Sequence, residues 1–155
     1  MPSVDRGKAG RQPNPWLVAG GILSAVAALL HLAVIAGGPD WYRAVGAGED
    51  MARMAEQGLL RPALITVAIA ALLALWSAYA FAGTGLIRRL PLMRTALVTI
   101  SGIYLLRGLA PLPLWLLRPF MLDAFALWSS MIVLVYGIAY AVGTWRAWTF
   151  LSTRS

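Results

Sequence analysis

The sequence predicts an all-α membrane protein: a bundle of four transmembrane helices with a short amphipathic helix in the first outer loop. The first observation is composition. The 155 residues are 60% hydrophobic and 12% charged, whereas a soluble domain carries about 25% charged residues. A soluble domain of this size has too little interior to hide so much apolar surface. The second observation is that the apolar residues fall into four runs, of which the first, at about 21 residues, suits a ~30 Å hydrocarbon core.

The first run begins after a polar, basic segment. Residues 1–15 contain scattered Gly and Pro, which predicts a disordered cytoplasmic tail. The first span is predicted at 16–36. A cleaved signal peptide is the alternative, but signal-peptide apolar cores extend over only about 7–15 residues. We therefore expect a retained membrane helix.

The longest polar stretch between apolar runs is 37–61. Within it, 49–60 is predicted to form the short amphipathic helix, because apolar residues recur at helical spacing. These residues are Met51, Met54, Ala55 and Leu59. Glu49 and Asp50 occupy the first turn, where acids favour the helix dipole.

Prolines delimit the next two spans. The second span, 62–82, starts at a proline, where the missing N–H is harmless. The third is predicted at 95–110, because Pro111 and Pro113 end or kink a helix. The segment 111–121 is apolar but broken by proline, so it either lies at the interface or inserts partly.

The fourth span is predicted at 124–145, with Asp123 placed to cap its first turn. A single transmembrane domain then covers 16–148. Residues 149–155 are predicted to form a second cytoplasmic tail.

The distribution of basic residues predicts the orientation, because lysine and arginine favour the cytoplasmic side. With both termini inside, the cytoplasmic residues are Arg6, Lys8, Arg11, Arg88, Arg89, Arg94, Arg146 and Arg154. The outer ones are Arg43, Arg53, Arg61 and Arg118. The near-absence of lysine is typical of GC-rich bacterial genes, so we expect a multi-pass protein of the bacterial inner membrane. The net charge of +7 points to the bilayer and its anionic lipids as partners, not to nucleic acid.

Each span also carries a stripe of small or polar residues, of the kind that lets membrane helices approach and hydrogen-bond. The stripes are Gly20, Ser24, Ala28 and His31; Thr66, Ala70, Leu73 and Ser77; Ser101, Tyr104 and Gly108; and Ser129, Tyr136, Tyr140 and Gly143. We expect these faces to turn inward. They either only pack or line a functional cavity.

The cysteine and histidine counts exclude several chemistries. With no cysteine, the chain has no disulfide, zinc-thiolate site, iron–sulfur cluster or cysteine nucleophile. With His31 as the one histidine, a single chain cannot supply two histidine ligands to haem or an H-E-x-x-H zinc site. No metal, cofactor or catalytic residue is predicted.

The candidate ligand-binding residues gather towards the outer ends of the spans. Arg107 is the one charge well inside an apolar run, and such a charge normally faces protein, water or a partner. Asp40 and Asp123 are predicted on the same side and could pair with it, while His31 and Tyr104 lie on nearby stripes. The simpler reading is a structural ion pair or a snorkelling arginine, together with a packed histidine.

Three functions fit this sequence. The first is a non-catalytic accessory or interaction subunit, acting with a membrane-protein partner or as a homo-oligomer. The second is binding or transport of a small anion or lipid at an outward-facing polar mouth. The third is a membrane-embedded enzyme.

Overall fold

The computed structural model describes residues 13–117 and 124–152, and every regular element within them is a helix. The helices are α1 (Pro15–Gly37), α2 (Pro39–Ala44), α3 (Glu49–Glu56), α4 (Arg61–Thr84), α5 (Met93–Leu109), α6 (Pro111–Leu117), α7 (Ala124–Arg146) and α8 (Trp148–Ser152). Four of them, α1, α4, α5 with its continuation to Pro113, and α7, are long and apolar enough to cross a membrane. The predicted all-α class and the four membrane-length helices are thus confirmed.

Some predictions fall on residues that the structure does not describe. They are the N-terminal tail up to residue 12, the cap at Asp123, segment 118–121 and the last three residues. The described part of segment 111–121 is the short helix α6, which follows α5 after a one-residue turn.

The long helices begin where capping chemistry allows. The Asn14 Oδ1 accepts a hydrogen bond from the backbone N–H of Trp16 at 3.1 Å, and Pro15 stands in the first turn of α1, where it loses no helical bond. At the far end of α4, Gly85 adopts a left-handed φ of 81°, which glycine adopts without steric cost. The start of α1 and the end of α4 therefore lie within two residues of the predicted limits of the first and second spans.

The spans are apolar outside and small or polar inside. Leu29, Leu64 and Leu106 are 66%, 66% and 73% exposed. By contrast, Ser24 is completely buried and Ala70 is 4% exposed. A soluble protein has the opposite arrangement, so the pattern is that of helices whose outer faces contact lipid.

Close approach of the helices depends on glycine. A β-carbon at Gly20 of α1 would lie 2.9 Å from the Tyr140 ring of α7, and one at Gly108 of α5 would lie 2.8 Å from the Leu134 backbone of α7. Helix α1 packs against α4 and α7, and α5 packs against α7. The glycines of the predicted stripes therefore mark real helix contacts.

The molecule has two ends, which we name by a residue at each. At the Asn14 end, α1 and α5 begin and α4 and α7 end. At the Tyr42 end, α2 and α3 fold over the long helices, with Val34, Tyr42 and Ala52 in a small core. Helix α3 stops at Glu56, earlier than the predicted residue 60, because the chain turns at Gly58 with a φ of 70°.

Candidate functional site

The centre of the molecule holds a connected set of hydroxyl groups from three helices. The Ser24 Oγ lies 2.9 Å from the Tyr104 hydroxyl and 2.9 Å from the Tyr140 hydroxyl. The Tyr140 hydroxyl in turn donates to the Trp76 carbonyl of α4 at 3.0 Å. We call Ser24, Tyr104 and Tyr140 the hydroxyl chain. Together with the Trp76 carbonyl, it links α1, α4, α5 and α7.

Hydrogen-bond chemistry fixes the direction of this chain. A carbonyl oxygen only accepts, and a hydroxyl has one proton to donate. Because Tyr140 gives its proton to Trp76, it must accept from Ser24. Ser24 has then used its own proton, so it must accept from Tyr104. All three protons are therefore committed within the protein.

Aromatic rings enclose the hydroxyl chain. The Trp76 and Tyr104 rings meet edge to face, with centroids 4.8 Å apart, and the Tyr104 and Tyr136 centroids are 5.5 Å apart. Tyr104 is 5% exposed and Tyr140 is fully buried. Aromatic pairs in this geometry add stability beyond their buried area, so the centre is closed by packing as well as by hydrogen bonds.

A second polar contact joins α1 to α4 beside this chain. The Ser77 Oγ donates to the Gly21 carbonyl at 2.8 Å. The Ser101 hydroxyl instead bonds the preceding turn of its own helix, at Leu97. The Thr66 hydroxyl bonds Pro62 of its own helix and also lies 3.4 Å from the Tyr42 hydroxyl of α2. The stripe residues thus differ in role: some link helices, while others satisfy themselves locally.

The structure separates the predicted ligand-binding residues. Tyr104 belongs to the central hydroxyl chain. His31 is half-buried, and its Nδ1 hydrogen-bonds the Ala27 carbonyl of its own helix at 2.7 Å, so Nδ1 carries the proton. Asp40 is exposed and pairs with Arg43 at 3.3 Å. Asp123 lies outside the described residues.

Arg107 is exposed, and its Nη1 donates to the Ser130 hydroxyl of α7 at 2.9 Å. The acidic partner expected for it is not found in the described part of the chain, where the ion pairs belong to Arg43 and Arg53. In the described structure the one hydrogen bond of Arg107 is thus to a neutral hydroxyl. No hydrogen bond or ion pair joins any two of the four described candidate residues.

Three of the described acids at the Tyr42 end gather on one arginine. The Arg43 guanidinium contacts Glu49 at 3.0 Å and Glu56 at 2.7 Å, besides Asp40. The hydrogen bond from Arg43 holds the pKa of the Glu49 carboxyl below its ordinary value, and the same bond is the largest cause that raises the pKa of Arg43. The cluster ties α2 to α3 at the Tyr42 end.

The acids at this end are thus held by arginines of their own segment. No group of three or more histidine or acidic side chains within the described ranges is arranged to hold a metal ion.

Sequence reasoning missed the hydroxyl chain as a unit, although its members were on the predicted stripes. The available signal was that Ser24, Tyr104 and Tyr140 all carry hydroxyl groups and lie on stripes that were expected to face inward. Comparison of the chain with protein-family models, with curated proteins and with solved structures finds no match.

Proposed function

We propose that this chain is a non-catalytic accessory or interaction subunit of the bacterial inner membrane. The observation that carries the proposal is the hydroxyl chain, in which every proton is already used to hold the helices together. A centre committed in this way supports a rigid scaffold better than a proton relay or a substrate cavity. The charged side chains that have no ion pair in the described structure lie towards the ends of the molecule, where they can contact a partner.

The proposed architecture is a four-helix bundle with both termini in the cytoplasm. The Asn14 end then faces the cytoplasm and the Tyr42 end faces outward. The excess of arginine at the Asn14 end supports this orientation. We propose that α3 is the short amphipathic helix of the outer loop. The burial of Ala52 and the partial burial of Met51, Met54 and Ala55 support packing of α3 on the long helices, while Arg53 is exposed.

Native mass spectrometry of the full chain, extracted in mild detergent, tests the proposed function. The expected result is a stoichiometric complex with a second membrane protein or with further copies of this chain. The matched control is the Gly102→Ala variant, which should leave the complex unchanged, because an added β-carbon at Gly102 meets nothing within 4 Å inside the protein. A monomer carrying lipid alone would contradict the proposal.

A second function, binding of a small anion or anionic lipid at the Tyr42 end, is favoured by Arg107. This arginine is exposed and bonded to a neutral serine, so its charge is available to an anion. Thermal melts with and without phosphatidylglycerol test this function. Arg107→Met should lose the lipid response, while Arg61→Met, a matched loss of charge at the same end, should keep it. Equal responses in both variants would reject the site.

A further inference from the structure

The Asn14 end carries a concentration of positive charge with no described acid near it in sequence. Its arginines are Arg88, Arg89, Arg94 and Arg146, whereas all the described acids lie between residues 40 and 56, at the Tyr42 end. Two of these arginines are committed to the protein. Arg89 donates to the Phe150 carbonyl and stacks on its ring, and Arg94 lies 4.1 Å above the Trp148 ring.

A cleft of about 370 Å³ opens at this end, within the range of about 300–1,000 Å³ for small-molecule sites. It lies where the start of α1 meets the end of α4 and the turn between α7 and α8. Its lining residues are Asn14, Pro15, Gly83, Thr84, Arg146, Ala147, Thr149 and Phe150.

The polar groups of the cleft differ in whether their hydrogen-bond donors already have partners within the protein. The Asn14 amide is committed, since it donates to the Gly143 carbonyl at 2.7 Å and caps α1. The Thr84 hydroxyl donates to the Phe81 carbonyl at 2.7 Å, which screens the carbonyl end of α4. In the described structure Arg146 makes no hydrogen bond or ion pair, and its one recorded contact is the Trp16 ring at 5.8 Å.

This arrangement favours an anion. Arg146 presents five uncommitted N–H donors, whose planar fork suits the paired oxygens of a phosphate. The start of α1, with its positive dipole end, forms a second wall of the cleft. The Thr149 hydroxyl, for which no hydrogen bond is recorded in the described ranges, adds one further donor.

We propose that this cleft binds a phosphate group, with Arg146 as the principal ligand and Thr149 as the second. The shared chemistry is a phosphate oxyanion, from either an anionic phospholipid headgroup or a soluble phosphate. The exposed aromatic rings of Trp16, Trp145 and Trp148 flank the cleft in sequence. Tryptophans of this kind sit at the headgroup level of a bilayer, where phosphate is the abundant anion. The site is distinct from the Arg107 site, which lies at the opposite end.

The test measures binding to the full chain in a zwitterionic detergent. Thermal stability is titrated with phosphatidylglycerol, with phosphatidylcholine and with inorganic phosphate. Three variants are compared: Arg146→Gln, Thr149→Val, which removes the hydroxyl at constant size, and Arg88→Gln. Arg88 is exposed at the same end and does not line the cleft, so it controls for the general loss of one positive charge.

The expected result is that phosphatidylglycerol stabilises the parent more than phosphatidylcholine does. Arg146→Gln should weaken this binding about tenfold, because a hydrogen bond to a charged group is lost. Thr149→Val should weaken it less, and Arg88→Gln should leave it unchanged. A matching response to inorganic phosphate would identify a soluble ligand, and no such response would identify the headgroup.

Two results would overturn the site. If Arg146→Gln binds as the parent does, the cleft takes no phosphate. If Arg88→Gln weakens binding as much as Arg146→Gln, the attraction is a diffuse surface charge and not a defined site. Because Arg146 is exposed and contacts one ring, its substitution spares the helix core, and circular dichroism of the variant verifies the fold.

Discussion

Removing the Tyr140 hydroxyl should destabilise the protein more than removing any other tyrosine hydroxyl in its centre. Tyr140→Phe deletes the donor to the Trp76 carbonyl and the acceptor for Ser24 in one step. The ring itself remains, so its packing against Gly20 is kept. The change therefore isolates two hydrogen bonds between helices.

The magnitude follows from the number of hydrogen bonds that each hydroxyl makes. Side-chain hydrogen bonds between membrane helices contribute about 0.6 kcal/mol on average, and at most about 1.7 kcal/mol. Tyr140→Phe should thus lower the free energy of unfolding by about 1.2 kcal/mol, and Tyr104→Phe, which removes one bond, by about 0.6 kcal/mol. Tyr136→Phe is the matched control, since no hydrogen bond is recorded for its hydroxyl in the described ranges, and it should cost nothing.

Reversible unfolding in mixed micelles, with increasing sodium dodecyl sulfate, measures these differences. A double-mutant cycle of Tyr140→Phe with Ser24→Ala should give a coupling of about 0.6 kcal/mol. Ser24 can redirect its proton to a carbonyl one turn earlier in its helix, which would lower the cost but keep the order of the three variants. Equal costs for the Tyr140 and Tyr136 substitutions would refute the two hydrogen bonds assigned to the Tyr140 hydroxyl.

Three further predictions concern other parts of the molecule. Arg107→Met should lower the free energy of unfolding by no more than about 1 kcal/mol, because one hydrogen bond to a neutral hydroxyl is lost; a larger loss in the same unfolding assay would reveal a buried acidic partner. Stabilisation of α3 by Glu49 should be present above pH about 4.3 and be lost as the pH falls through the lowered folded-state pKa of Glu49. Hydrogen exchange of α3 should show this loss. Arg43→Gln should reduce the pH dependence strongly, because Arg53 is the smaller cause that remains; an unchanged pH dependence in the variant would contradict the prediction. Gly108→Ala should lower the free energy of unfolding by about 1–3 kcal/mol, because the added methyl group meets the α7 backbone. Gly102→Ala should be neutral or stabilising, since it gains helix propensity and its methyl group meets open space. Equal losses of stability in the two variants would contradict this contrast.

The sequence was sufficient to predict the helices because hydropathy and capping act locally. The predicted spans 16–36 and 124–145 differ from α1 and α7 by at most one residue at each end. For α4, where proline and glycine mark the limits, the predicted span 62–82 differs by one residue at the start and two at the end. The predicted amphipathic helix was too long, because Leu59 fits the apolar spacing but the chain already turns at Gly58 and α3 ends at Glu56.

The candidate site was harder to predict, because side-chain pairing depends on how each helix is rotated. Tyr104 was grouped with Arg107 from their spacing on one helix, yet its partner Ser24 is 80 positions away in the chain. Arg107 was expected to find an acid, but the described acids at the Tyr42 end pair with arginines of their own segment, and Asp123 lies outside the described residues. A local charge pattern cannot reveal that competition.

The topology of the chain is the most direct test of the central claim, a four-span membrane protein with both termini in the cytoplasm. Reporter fusions after residues 48, 90, 120 and 155, one in each connecting segment and one at the C-terminus, measure the side of the membrane that each position occupies. The predicted readings are outside, inside, outside and inside. A C-terminus that reads outside would contradict the four-span account.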